Sequence, residues 1–249
     1  MRYRAEVEYD GTGYYGFQRQ LDQPTIQSDL EQALTDLAGR DISIDFAGRT
    51  DSGVHALGQV IAFHLDWKHS ANDLLRALNA RLSQSISLNA LVAARPDFHP
   101  RFDARRRVYD YNIYNAPVRS PYRRRYSWHV KRTLNLEMMN CAAKMIIGVH
   151  DFATFGQAPQ GTVTVREVFE AEWRRIDRLL VFRVAANAFL QRMVRSLVGT
   201  MVAVGDGSWT VMEFEEAFLA RKREKAGQTA PAHGLFMMSV SYEADSLGE

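Results

Sequence analysis

Between positions 42 and 47, Ile42, Ile44 and Phe46 alternate with Ser43, Asp45 and Ala47, the period of a half-buried strand. The run Val60-Ile61-Ala62-Phe63-His64-Leu65 predicts a second strand over about 58–65. Arg2–Tyr9 reads as a strand ahead of both. Thr25–Ala38 reads as a helix, with Ile26, Leu30, Leu34 and Leu37 on one face and Gly39 as its stop. Ser70 and Asp73 make a capping box for a helix carrying Leu74, Leu75 and Leu78. A strand near 85–93 closes the half. The order is β-α-β-β-α-β, the split βαβ or ferredoxin-like unit.

The same order recurs further on. Arg107–Tyr114 is a predicted strand and Leu134–Ile147 a helix, with Leu136, Met139, Ala143 and Ile146 inward. A hairpin is expected at about 164–174 and 179–186, then an apolar helix over Phe189–Val204 and an extra helix over about 211–224. Leu235–Tyr242 is the last strand. The duplication lies in the pattern and not in the residues. It predicts an α+β protein of two ferredoxin-like halves, 1–100 and 101–249, with mainly antiparallel sheets and a cleft where the halves meet. The break falls near 95–106, after Arg95-Pro96.

A length of 249 residues allows one large domain or two smaller ones. Met1 leads straight into a strand-like run and no apolar stretch is long enough to span a bilayer, so a cytoplasmic protein is expected. The single cysteine, Cys141, excludes an internal disulfide framework and falls in a helical pattern, where a small buried hydrophobe is expected.

Charge is where composition becomes informative. The net +2 hides a segment, Arg101 to Arg132, with ten basic residues against Asp103 and Asp110, a local +8 that leaves −6 for the remainder. Phe98, Phe102, Tyr109, Tyr111, Tyr114, Tyr122, Tyr126 and Trp128 are interleaved. Positive charge tracks a phosphate backbone and aromatic faces stack on unpaired bases. The plain alternative is a solvated basic face with core aromatics between.

The candidate chemistry sits in Gly48-Arg49-Thr50-Asp51-Ser52-Gly53-Val54-His55-Ala56, a loop between two predicted strands. Asp51 alone reads as a turn aspartate. Arg49, two residues away, makes it a candidate nucleophile, because a guanidinium favours the ionised carboxylate. Gly11-Thr12-Gly13-Tyr14-Tyr15-Gly16 matches a dinucleotide fingerprint, but no helix opens at its third glycine, so it reads as a tight loop touching RNA. His55, His64 and His69 lack metal-ligand spacing, His150-Asp151 reads as a turn or cap, and neither a metal nor a cofactor is expected.

Several stretches resemble the TruA family of tRNA pseudouridine synthases. They are Tyr9-Asp10-Gly11-Thr12 with Gly16-Phe17-Gln18-Arg19-Gln20, Gly48–Ala56, and Arg101-Phe102-Asp103-Ala104 leading to Tyr109-Asp110-Tyr111. Gly148–Phe152, Phe189-Leu190 through Arg195, and Ala230-Pro231 through Leu235 continue the match in order. The resemblance implies the pseudouridine synthase fold, with Asp51 as catalytic aspartate and Tyr109 as the tyrosine that stacks on the target base. It implies that Arg195 pairs with the aspartate, that Leu235 packs beside the base, and that Arg49 helps hold the base flipped out. Arg19, Arg101 and Arg105 fall on its RNA-contacting stretches. Phe17 replaces the family's usual tryptophan, and Ala188 its usual glycine. The implied targets are uridines 38, 39 and 40 of the tRNA anticodon stem-loop, and the implied assembly is a homodimer.

Chemistry fits without a cofactor, since the isomerisation involves no redox change and no group loss. On the helix from Phe189, Arg195 lies at the edge of the stripe Leu190, Met193, Val194, Leu197 and Met201, where an arginine reaches a cleft or simply snorkels. Two rivals share parts of the pattern. A non-catalytic RNA binder explains the basic aromatic segment but not the Arg-x-Asp loop. A glycosidase-like hydrolase needs a second carboxylate as general acid. If the basic segment grips RNA, affinity falls as salt rises, because phosphate contacts release counterions. Filter binding at a series of salt concentrations checks this, and a flat response rules the segment out.

Overall fold

The computed structural model describes residues 1–158 and 161–243. The chain divides into two compact units: Met1–Arg106 with the chain from Phe236 onward, and Arg107–Leu235. The architecture is α+β, with five α-helices and ten strands among the described residues.

In the first unit, β1 (Arg2–Tyr9) lies between β4 (Ile86–Ala93) and β3 (His55–His64), antiparallel to both. The two-residue β2 (Asp45–Phe46) pairs with β3 through Ile61 and Ala62. The resulting order, β4-β1-β3-β2, is that of a split βαβ unit. Helix α1 (Ile26–Ala38) starts at a Thr25–Ser28 capping box and stops at left-handed Gly39. Helix α2 (Ala71–Asn79) starts at the Ser70–Asp73 box that the sequence predicts. Leu30, Ala33 and Leu34 of α1 and Leu78 of α2 cover one face of the sheet against Ile61, Phe63 and Leu88.

The alternating run 42–47 forms less strand than its period predicts. Ile42 and Ile44 are buried, but the Ile44 amide donates to Glu31 Oε1 (3.2 Å) instead of joining a ladder. A side chain has taken the place of a strand partner. Short β2 leaves the His55 end of β3 open on that side, and β10 (Leu235–Tyr242) fills it, with Phe236 and Met237 parallel to His55 and Ala56. Gly58 permits the approach, since a Cβ there would meet the Met238 carbonyl. The sequence reading placed this strand in the second half. From Phe236 it belongs to the first unit.

In the second unit, β5 (Ala104–Asn115) pairs antiparallel with β9 (Leu179–Ala186), and β9 with β8 (Val165–Ile176). A three-residue β6 (Trp128–Val130) adds to β5, and β7 (Gly148–Asp151) to β8. His150-Asp151 is therefore an edge strand and not only a cap. The Asp151 carboxylate still accepts from the Ala153 amide and the Thr164 hydroxyl.

Three helices follow, each shorter than its period predicts. In α3 (Leu136–Met145), Met139, Ala142 and Ala143 are buried. Cys141 points to solvent, because it falls on the helix face opposite Met139, Ala142 and Ala143, so it is not the small buried hydrophobe expected. Helix α4 (Met193–Gly205) begins late because Arg192 takes left-handed φ of 62°. Helix α5 (Val211–Leu219) ends before left-handed Arg221. No helix among the described residues is long and apolar enough to cross a membrane.

Gly11 lies against Val54, and a Cβ at Gly11 would overlap the Val54 carbonyl. Gly11→Ala forces a shift of backbone against backbone and is expected to lower stability by about 1–3 kcal/mol. Urea unfolding of the purified variant measures it.

Candidate active site

Asp51 lies on the loop from β2 to β3, half-buried, with Arg49 exposed beside it. That loop has little ladder of its own and is held from below by a second loop, Gly11 to Phe17. The Phe17 amide donates to the Thr50 carbonyl (3.1 Å). The Gly53 amide and the Ser52 hydroxyl both donate to the Tyr14 carbonyl (3.3 and 3.0 Å). Gly16 stands at φ 95°, where a side chain is strained, and a Cβ there would lie 2.8 Å from the Thr50 carbonyl. The first and third glycines of the G-x-G-x-x-G pattern are thus accounted for by backbone contact between two loops, and Gly13 by its positive φ of 84°.

Buried side chains complete the support. Gln59, fully buried, donates through Nε2 to the Gly48 carbonyl (2.7 Å) and accepts from the Gly48 amide (3.3 Å). The Tyr9 hydroxyl lies 2.8 Å from Thr50 Oγ1. His55 stacks on Phe236 at 4.7 Å, and its Nδ1 lies 3.1 Å from both the Gly11 amide and Asp10 Oδ1. That nitrogen accepts from Gly11 when bare and donates to Asp10 when protonated. Phe17 is buried against Phe46 (4.7 Å), so its face serves packing.

In the second unit, Tyr109 sits on β5 opposite Val184, buried, with its ring edge-on to Phe189 at 5.0 Å. Arg195 is half-buried beside the buried stripe Leu190, Met193, Val194, Leu197 and Met201, and because α4 starts only at Met193 it falls in the first turn of the helix. A helix N-terminus is already positive, so Arg192 and Arg195 there oppose the dipole and make a strongly anion-favouring end. Arg195 Nε donates to the Ala230 carbonyl (2.8 Å), and the Ala230 amide donates back to the Arg195 carbonyl (3.0 Å). Tyr111 donates to the next carbonyl, Pro231 (2.8 Å). Leu235, buried, follows four residues later.

The Arg195 charge acts on two neighbours that burial also shifts. Burial pushes the Tyr111 hydroxyl far above its usual range, against the opposing pull of the Arg195 charge. Burial lowers His233, Arg195 lowers it further, and a hydrogen bond to the Ser127 backbone works the other way.

The remaining predicted contacts are placed individually. Arg19 Nε and Nη2 donate to Glu31 Oε2, so this arginine is engaged with a buried carboxylate. Arg101 lies over the Phe102 ring at 5.6 Å. Arg105 pairs with Glu243 at 2.9 Å, both well exposed, an arrangement worth about 0–1 kcal/mol. The basic segment divides. Arg107 is buried and donates to the Asn187 carbonyl (2.6 Å), and Phe98, Tyr109, Tyr111 and Tyr114 are core. Arg119, Arg124 and Arg125 are exposed, with Tyr122 94% exposed among them. Among the described residues no group of three or more His, Cys, Asp or Glu could hold a metal ion.

Sequence reasoning missed Tyr9, Thr50 and Gln59 as supports. Gln59 carried a signal, as a polar residue at the head of an apolar strand run. Tyr9 carried none, because a strand tyrosine reads as core.

Comparison with known proteins adds an independent line. The model of the tRNA pseudouridine synthase family matches residues 5–103 and 142–243. The chain is 40% identical over 243 residues to tRNA pseudouridine synthase A of Caulobacter vibrioides, covering 97% of this chain and 98% of that protein. It is 37% identical over 240 residues to the same-named protein of Borrelia hermsii, covering 96% and 98%. Among solved structures it is similar to a chain in a Cbf5-Nop10-Gar1 complex, at 12% identity and a TM-score of 0.37, over 97% of this chain and 60% of that one.

The lowered pKa of His233 has a pH consequence. The unfolded chain takes up the proton first, so the stability associated with neutral His233 is present above about pH 6.5 and is lost as pH falls. The wild type is expected to lose urea resistance between pH 7.5 and 5.5, and His233→Gln to lose less of it.

Proposed function

We propose, for a chain that belongs to the tRNA pseudouridine synthase family and is thereby an isomerase converting uridine to pseudouridine in tRNA, that Asp51 is the catalytic nucleophile and that the targets are uridines 38, 39 and 40 of the anticodon stem-loop. The observation that carries the reading is the loop itself. Asp51 stands between Thr50, tied on both its carbonyl and its hydroxyl, and a turn tied to the Tyr14 carbonyl. A carboxylate held this way is positioned at low entropic cost, as a nucleophile requires.

The bond from C1′ to N1 breaks, the uracil turns, and C1′ rejoins at C5, which gives up its proton. Nothing is gained or lost overall. A stacked base must first leave its helix, at about a few kcal/mol. Arg49, exposed beside Asp51, holds the flipped state. Tyr109 gives the aromatic face and assists removal of the C5 proton. Leu235 packs beside the base. Arg195 supplies positive charge to the carboxylate. Arg101 and Arg105, with Arg19, contact the RNA backbone. The enzyme works as a cytoplasmic homodimer and needs no cofactor.

The test follows tritium release from uracil C5 in an unmodified transcript with uridine at 39. Wild type is expected to release tritium, and Asp51→Ala to release none while still binding RNA. Binding without release by either protein favours the non-catalytic RNA binder, and full release by Asp51→Ala excludes Asp51 from the chemical step.

A further inference from the structure

We propose that Tyr9 is a positioning residue for the isomerisation, holding the Asp51 carboxylate in place through the side chain of Thr50. The inference rests on Asp51 as nucleophile and names what aims it. Thr50 precedes Asp51 directly. Its carbonyl is fixed by the Phe17 amide at 3.1 Å and its hydroxyl by the Tyr9 hydroxyl at 2.8 Å, so the residue is held on two sides. Tyr9 is 2% exposed and Thr50 7%, so water does not compete for this bond.

The placement of Tyr9 depends on an irregularity in the sheet. Val7 pairs with Gln59, but Tyr9 pairs with Ala56 and not with Leu57. One extra residue therefore sits in β3 between these pairs, a β-bulge. Bulges re-aim side chains and recur beside active sites. Here the bulge falls at the end of β1 nearest the Asp51 loop. The phenol ring is set against Phe17 at 5.9 Å, and Phe17 against Phe46 at 4.7 Å. A tyrosine has two side-chain torsions, so with its ring packed the hydroxyl has one place to be. The chain of constraint runs from bulge to phenol to Thr50 to Asp51. The simpler account is that the Tyr9–Thr50 bond only adds stability. The two accounts differ in what they do to the rate of the folded enzyme.

The test uses single-turnover tritium release at saturating transcript, RNA affinity by filter binding, and urea unfolding to count folded protein. Tyr9→Phe removes one hydroxyl and keeps the ring. Thr50→Val removes the partner at nearly constant shape. Each is expected to lower the single-turnover rate per folded molecule roughly tenfold, since small misplacement of a reacting group costs up to about a hundredfold. RNA affinity should stay within about twofold of the wild type. The double variant should be no slower than either single one, because both remove the same bond. Thr50→Ser, which keeps the hydroxyl, should recover most of the rate. A wild-type rate in Tyr9→Phe overturns the proposal, as does a loss confined to RNA affinity or losses that multiply in the double variant. Should Tyr9→Phe fail to fold, the contrast between Thr50→Val and Thr50→Ser decides in the same way. Asp51→Ala separates the two levels. Retained release there removes both the nucleophile and its positioning, whereas a dead Asp51→Ala beside an unimpaired Tyr9→Phe removes the positioning alone.

Discussion

The hydrogen bond from the Phe17 amide to the Thr50 carbonyl is the constraint on which the first unit's chemistry depends. It forms only because Gly16 adopts a left-handed backbone and carries no Cβ, so two loops can lie backbone to backbone. Neither loop has enough ladder to hold itself. Together they exchange amides and carbonyls as strands do, without being strands. Buried Gln59 extends the same device by offering its amide to Gly48 as a surrogate peptide group. A loop is the natural home for a reacting side chain, and its usual weakness is mobility. Here that weakness is offset by treating the loop as part of the sheet.

The second unit solves a different problem. Arg195 opens a helix where its charge opposes the dipole, and it is half-buried there. The segment running from Gly227 to Leu235 wraps α4 and gives it acceptors. Ala230 answers Arg195, and Pro231 answers Tyr111. Arg223 bridges Thr229 of the same segment to Ser196 of α4. A guanidinium fixed through its Nε in this way is directional, which suits a planar anionic partner.

The helices, their caps and most strands were legible in the sequence, because amphipathic period and capping chemistry are local. Gly39, and Ser70 with Asp73, mark helix ends from within a few residues, whereas Thr25 reads as the first helical residue and is in fact the cap. What was not legible was settled by distant partners. Ile44 reads as strand by its period, but Glu31 took its amide. Arg192 gives no hint of positive φ, and that one torsion delays α4 by several residues. Cys141 was assigned by residue type, whereas its position on the face of α3 opposite the buried residues decided its exposure. The Asp51 loop stood out through the glycines and charge around it. Its supports did not, since Tyr9 and Thr50 are ordinary residues made specific only by the bulge between Val7 and Tyr9.

The parallel pairing of Phe236 and Met237 with His55 and Ala56 makes the first unit discontinuous in the chain. Its sheet draws on the first hundred residues and on a strand separated from them by the whole of the second unit. As the polypeptide emerges from the ribosome, the segment bearing Asp51 is made before the second unit, yet the neighbour that lies along His55 arrives only after the whole of that unit has been translated. The His55 ring has no Phe236 to stack on until then. Completion of the first unit is thereby postponed until the second has been made, and a message cut short anywhere in the second unit yields a chain whose Asp51 loop lacks the strand beside it.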